Sequence, residues 1–258
     1  MESNTETVAP DIFATIPKEE TATIIVPMYG YQRPGGVPAL NAQMLSIPLF
    51  RLRSFFHAVY LIFVYEEKSL EKDVNDFISA RQMQGNSLRV EISRESSFGM
   101  FLEAGFAESL DKTASRYLIV AAPWQVLGKD SVDVLLERIN RVDIGLCSGY
   151  DVRKAGVQPA NFDKYKFVPI QEFRDFEINF FGVTKPVAQM MKFDPQYKTR
   201  KMLEKDLYQQ LRINYNIISS QGVPIYPLVD EMPEIEAPSA RLEDIERFKM
   251  KWKFVPQD

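Results

Sequence analysis

Cysteine and histidine are almost missing from this sequence: Cys147 and His57 are the single representatives of their kind in 258 residues. One cysteine cannot close an internal disulfide, and one histidine cannot build a His-rich zinc site. An excess of positive charge is missing too. Thirty-one lysines and arginines stand against 35 acids, a net charge of -4, so the chain has no overall attraction for a polyanion and non-specific nucleic-acid binding is disfavoured. Nor is there a long apolar run. The longest, Ala58 to Tyr65, spans eight residues, against the roughly 20 that a bilayer-spanning helix needs. Residues 1–20 carry acids and lack both a basic start and an apolar stretch, so no targeting signal is read there and the expected location is a cytoplasm. What is present is an ordinary globular composition, 45% hydrophobic and 26% charged, enough for one large domain. Its charge and metal chemistry is limited to carboxylates, amines and guanidinium groups.

Along the chain, Thr21 to Pro27 is a β-branched run followed by a turn-rich stretch, Met28 to Pro38, with three glycines and two prolines. That reads as a strand feeding a long loop. Asn41 to Phe56 has apolar residues at mixed helical spacing and is interrupted by Pro48, which predicts a broken helix. Ala58 to Val64 is a second strand. Leu70, Val74, Phe77 and Ile78 fall on one face of an amphipathic helix within Ser69 to Gln82. A short strand at Leu88 to Ile92, a helix at Ser97 to Leu110, a strand at Tyr117 to Ala122, a helix capped by Asp130 or Ser131 and a strand at Asp143 to Ser148 follow. Alternating strands and helices over this length predict an α/β fold with a mostly parallel central sheet flanked by helices, with ligands at the carboxyl ends of its strands. The second half is less regular. It has a loop-rich stretch over 150–174, a strand near Phe176 to Val183, helices near Pro186 to Lys192 and Thr199 to Leu211, and a strand near Asn216 to Ile225. The expected division is a leader at 1–20, a domain at 21–229, and an acidic, proline-bearing linker with a C-terminal appendage at 230–258. Ser239 can start a helix there. That helix would bear Leu242, Ile245 and Phe248, while Phe248, Met250, Trp252 and Phe254 alternate with lysines, a period of two that gives an apolar and a basic face if the segment is extended, so the appendage is expected as helix or strand. The domain's own sheet, another subunit or protein partner, or a membrane surface are the destinations for such a face.

Four stretches, in this order, resemble the GT-A glycosyltransferases, in particular the inverting family of polysaccharide and cell-wall sugar transferases. Thr23 to Gly30 is similar to the family's opening strand, an isoleucine-valine run followed by proline, any residue, tyrosine and asparagine; Gly30 stands where asparagine is common. Phe98-Gly99 with Gly105 resembles its glycine-rich helix start, with Glu103 in an asparagine position. Phe193-Asp194-Pro195-Gln196-Tyr197 resembles a Phe-Asp-Glu-x-Phe/Tyr element. Leu203 to Leu207, with Leu211 and Tyr215 to Ile218 after it, resembles the helix that carries a Glu-Asp pair and leads into a late strand. The resemblance implies a Rossmann-like GT-A fold and a nucleotide-diphosphate sugar as donor substrate.

The departures fall on the metal and nucleotide residues. In the family a strand ends in Asp-x-Asp, whose carboxylates hold the cation that neutralises the donor diphosphate; the corresponding place here is Ala122-Pro123-Trp124, so no metal ligands are assigned and no cofactor beyond the donor is implied. The paired aspartates that receive base and ribose correspond to Glu66-Glu67, in altered register, and Gln210 replaces an expected arginine, with Arg212 nearby. By motif position Glu204 is the prospective base that takes the proton of the attacking hydroxyl, with Asp206 in reserve. Residues two apart on a helix point about 200° apart, so both cannot serve one site, and KMLEKDLYQQ also reads as a solvated helix face. Pro27, Tyr29, Arg33, Glu66, Glu67 and Trp124 are the candidates for binding the donor. Without a metal, Arg33, Lys129 and the Lys198 to Lys201 cluster are available to meet a diphosphate. For each an ordinary role stands beside this one: Glu66 and Glu67 as acids at a helix start, the basic residues for solubility, Trp124 as a packed ring at a sheet end. His57 and Cys147 read as structural. The expected function is sugar transfer from a nucleotide-sugar donor without an Asp-x-Asp metal site, and the alternative is a non-catalytic module of the same fold.

Overall fold

The computed structural model describes residues 20–29, 52–66, 68–82, 84–93, 97–123, 125–128, 130–152, 167–169, 177–227 and 238–253. The expected linker and most of the expected broken helix and loop-rich stretch lie outside them; residues 52–55 are helical. In chain order the elements are β1 (Thr21–Pro27), β2 (Ala58–Tyr65), α1 (Glu71–Ala80), β3 (Ser87–Glu91), α2 (Phe98–Lys112), β4 (Tyr117–Ala121), β5 (Gln125–Leu127), α3 (Ser131–Ile139), β6 (Ile144–Asp151), β7 (Phe167–Pro169), β8 (Phe180–Thr184), α4 (Lys185–Met190), α5 (Arg200–Leu211), β9 (Asn216–Pro227) and α6 (Pro238–Trp252).

The strands form one sheet in the order β3-β2-β1-β4-β8-β6-β9-β5, with β7 beside β9. β1 pairs in parallel with β2 and β4, and β2 with β3. The chain therefore winds outward from β1 to β3 and returns to the other side of β1 with β4. That reversal makes the carboxyl ends of β1 and β4 the switch point of the sheet, the place where open α/β sheets bind ligands. β8 runs antiparallel to both β4 and β6, while β6 and β9 are parallel. The start of β8 consequently lies beside the end of β4, with Phe180 opposite Ala121.

Burial on both faces explains why the central strands read as continuous apolar runs. Ala22, Ile24 and Val26 of β1 face a core with Val74, Phe77 and Ile78 of α1 and Val132, Leu135 and Leu136 of α3. Ile25 faces the opposite core, with Phe98, Leu102 and Phe106 of α2, Leu203 and Leu207 of α5 and Phe248 of α6. Each such aliphatic or phenyl side chain contributes about 1.5–3 kcal/mol by leaving water. α2 comes so near the sheet that a Cβ on Gly105 would stand 2.4 Å from Ile25 Cγ2. At its first turn a Cβ on Gly99 would stand 3.0 Å from the Asp194 carbonyl oxygen, and Ser97 Oγ donates to the Pro195 carbonyl at 2.8 Å. The two glycines thus seat α2 against β1 and against the loop that precedes α5. Asp130 occupies the N-cap position of α3, but its side chain makes no capping bond.

Of the two forms expected for the C-terminal end, the described residues take the helix. Residues 248–252 are helical, not extended, because Phe248 and Trp252 stand four apart and share the face that packs in the α5 core, whereas Met250 is 68% exposed on the far side. Among the described residues no helix is long and apolar enough to cross a membrane.

Candidate functional site

At the switch point the ends of β1 and β2 come first. Pro27 is buried at the end of β1, beyond the last pair with β4, Ile25 opposite Val120, where a missing N–H costs no bond on that side. Met28 N donates to the Val64 carbonyl at 2.9 Å, which fixes the direction in which the chain leaves the sheet. Tyr29 then meets Phe98 and Phe101 of α2 edge-on, with ring centroids 5.5 and 5.3 Å apart. Glu66 is half-buried directly after β2. Next to it burial pushes the Tyr65 phenol up, with the charges of Glu71 and Glu91 adding to the effect. Arg33, Glu67, Trp124 and Lys129 lie outside the described residues.

The other side is built from the end of β4, the start of β8 and the start of α5. The Asn179 carbonyl accepts from Ala122 N at 2.9 Å and from Gln125 Nε2 at 2.7 Å. Its side-chain oxygen accepts from Arg200 Nη1 at 3.2 Å, and its Nδ2 donates to Glu177 Oε1 at 2.6 Å. One asparagine therefore links the guanidinium at the start of α5 to the backbone at the end of β4. Two features fix where α5 begins. Thr199 caps it by accepting from Met202 N at 3.3 Å, and the buried Asp244 of α6 accepts from Lys198 N and Thr199 N at 3.0 and 2.8 Å.

Helix geometry then separates the two acids. At about 100° per residue Glu204 lies only about 40° around α5 from Arg200, whereas Asp206 lies about 120° away. Glu204, half-buried, shares the face whose first turn reaches Asn179. Asp206 has no exposed surface and turns to α6. It accepts from Trp252 Nε1 at 2.7 Å, Lys251 Nζ at 2.8 Å, Gln210 Nε2 at 2.7 Å and Tyr197 Oη at 3.4 Å. Burial, with the Asp206 charge second, pushes the Tyr197 phenol up, so it stays a donor to that carboxylate. The contacts from Thr199 to Asp244 and from Asp206 to Lys251 have the same offset of 45 residues. α5 and α6 accordingly run side by side in one direction, clamped by a buried carboxylate from each.

Ala122 and Pro123 bring no carboxylate to the end of β4, and among the described residues no three His, Cys, Asp or Glu side chains stand together as metal ligands. The described residues there do not fit a divalent cation. His57 is exposed, its backbone N–H donating to the Glu20 carbonyl at 3.1 Å. Cys147 is fully buried and its thiol is pushed up to about 12 by burial, as a structural cysteine requires. Asn179, Glu177 and Asp244 had no motif to point to them; the i, i+4 spacing of Arg200 and Glu204 was the one signal in the sequence that groups part of this side.

No known family profile and no curated protein matches the sequence. Solved structures do match by shape. GalNAc-T7 with UDP, GalNAc and Mn²⁺ superposes with a TM-score of 0.58 at 10% identity over 91% of this chain and 50% of that one. Residues 1–349 of TarS from S. aureus superpose with a TM-score of 0.56 at 11% identity, over 93% and 67%. The inositol-1-phosphate CTP transferase from T. maritima gives 0.53 at 11% identity, over 90% and 97%. The chain thus has a GT-A-like fold, shared with glycosyltransferases and a nucleotidyltransferase. It spans about half the length of the GalNAc-T7 chain.

Proposed function

We propose that this chain binds a nucleotide-diphosphate sugar at the ends of β1, β2 and β4 and transfers the sugar to an acceptor hydroxyl, with Glu204 as the general base. The acceptor oxygen forms a bond to the anomeric carbon as the bond to the diphosphate oxygen breaks. The acceptor proton passes to the Glu204 carboxylate, and the nucleoside diphosphate leaves with the electron pair. Asp206 is given no chemical part, because its oxygens hold α6. The observation that supports the reading is the bond chain from Ala122 through Asn179 to Arg200, which ties the start of α5, the helix that carries Glu204, to the backbone after β4, at the end of the sheet where this fold takes its ligands. Pro27, Tyr29, Arg33, Glu66, Glu67 and Trp124 are proposed to receive the donor. The transfer is proposed to need no cation held by an Asp-x-Asp pair, since Ala122-Pro123-Trp124 supplies no carboxylate.

The same missing carboxylates favour a second reading, a module that binds a nucleotide sugar or a protein partner without transferring anything. A panel of nucleotide sugars separates the two, assayed with EDTA or Mn²⁺ for thermal stabilisation and for release of nucleoside diphosphate. The first reading expects one donor that stabilises the protein and is turned over in EDTA, with Glu204→Gln retaining binding and losing turnover. Stabilisation without turnover by any donor and acceptor pair establishes the second. No stabilisation by any nucleotide sugar refutes both nucleotide readings.

A further inference from the structure

Within the Lys198 to Lys201 run only one basic side chain is drawn inward. Lys198 and Lys201 are exposed, and Lys198 Nζ lies 2.6 Å from Glu243 on α6, pointing along the helix pair and not toward the sheet. Arg200 is half-buried and donates to Asn179 Oδ1. The Asn179 amide is oriented for this task. Its Nδ2 is held by Glu177 at 2.6 Å, which leaves its oxygen facing the guanidinium. Its backbone carbonyl is fixed at the same time by Ala122 N and Gln125 Nε2. A charge is thereby held beside the backbone that follows β4, by groups that are themselves held.

We propose that Arg200, positioned by Asn179, is the cationic group that receives the diphosphate of the nucleotide ligand at the end of β4. This rests on the nucleotide-sugar reading above and assigns it a residue. A guanidinium presents planar paired N–H donors that match two phosphate oxygens, and such charge-assisted bonds are the strong ones. A diphosphate gains negative charge as the glycosidic oxygen departs with the electron pair, so a fixed positive charge at that oxygen stabilises the transition state more than the ground state. GalNAc-T7 was solved with UDP and Mn²⁺; here Ala122 and Pro123 bring no carboxylate to the end of β4, and Asn179 ties a side-chain cation, Arg200, to the backbone that follows it. Glu204, one turn further along the same face, would accept the acceptor proton on the far side of the sugar from the leaving group.

The test is calorimetric titration of the full chain in EDTA with UDP, GDP, CDP and the matching free nucleosides, for wild type, Arg200→Gln, Arg200→Lys and Asn179→Ala. Wild type should bind at least one diphosphate well above its nucleoside. Arg200→Gln should lose about 10- to 100-fold in diphosphate affinity, as expected for charge-assisted bonds removed from a half-buried site, and leave nucleoside affinity unchanged. Arg200→Lys should recover part of the loss, and Asn179→Ala should show a smaller loss of the same kind. The ratio of diphosphate to nucleoside affinity within one variant does not depend on how much of the sample is folded. An unchanged ratio in Arg200→Gln overturns the assignment while nucleotide binding by wild type stands. Binding that appears only with Mn²⁺ also overturns it. Failure of wild type to bind any nucleotide overturns it together with the reading on which it rests.

Discussion

Replacing Asp206 by alanine removes the acceptor of four hydrogen bonds between α5, α6 and the preceding loop at once. The bonds differ in what they lose. Lys251 is 35% exposed at its side chain and regains water, so its share is that of a surface pair, about 0–1 kcal/mol. Gln210 keeps its bonds to Lys192, accepting from its backbone N at 2.9 Å and donating to its carbonyl at 2.8 Å. The Trp252 indole N–H and the buried Tyr197 hydroxyl are left without their acceptor, at about 1–3 kcal/mol each. The sum is about 2–7 kcal/mol. In a chain of this size each kcal/mol moves the melting temperature by about 2–4 °C, so Asp206→Ala should melt roughly 10 °C below wild type. Far-UV circular dichroism gives the shift, and proteolysis should reach α6 first as its anchor is lost. Asp206→Asn keeps the shape but turns an NH₂ toward donors, and should fall between the two. A melting temperature within about 2 °C of wild type would refute the argument. Refolded Asp206→Ala with wild-type stability and no turnover would instead make Asp206 a chemical participant.

Three further outcomes follow from the packing and burial. Gly105→Ala should destabilise the protein by about 1–3 kcal/mol through overpacking on Ile25, despite alanine's better helix propensity; Gly85→Ala, where nothing stands within 4 Å, should be near neutral in the same urea titration. Cys147 should be inert to an aromatic disulfide reagent at pH 8 in the native protein and react once per chain in urea. Its thiol rises from 9.0 to about 12 on folding. The unfolded chain therefore loses this proton first, and the contribution to stability is intact below pH 9 and declines up to about pH 12 at about 1.4 kcal/mol per pH unit. Cys147→Ala should flatten that decline, and an unchanged slope would count against it. Glu204→Gln should lower turnover by about 10²–10⁴-fold with little change in donor binding, and equal turnover in both proteins would remove Glu204 from the chemistry.

Strands buried on both faces were easy to read, because a doubly covered parallel strand needs an unbroken apolar run. Thr21 to Pro27, Ala58 to Tyr65 and Tyr117 to Ala121 were all placed within a residue or two. The direction of β8 was not legible, since a strand buried on both faces has the same composition whether its neighbours run with it or against it. The lysine-alternating tail was ambiguous for a physical reason. A period of two and a spacing of four coincide at Phe248 and Trp252, and only the docking of both rings against α5 selects the helix. Asp206 was legible as an acid in a motif but not as an anchor, because Lys251 and Trp252 reach it from 45 and 46 residues away. Asn179 was invisible for the same reason. Its importance lies in three bonds to Ala122, Gln125 and Arg200, none of which a local pattern encodes.

If the proposal holds, a nucleotide diphosphate sits at the carboxyl ends of β1 and β4, beside the Arg200 and Glu204 face of α5. The most direct measurement is a crystal structure of the full chain grown in EDTA with the nucleoside diphosphate that binds best. Phosphate oxygens should lie within hydrogen-bond distance of the Arg200 guanidinium, the base near the ends of β1 and β2, and Glu204 across an open space that a sugar and acceptor can fill. A nucleotide seated elsewhere on the molecule, or phosphates held at the end of β4 without contact to Arg200, would contradict it.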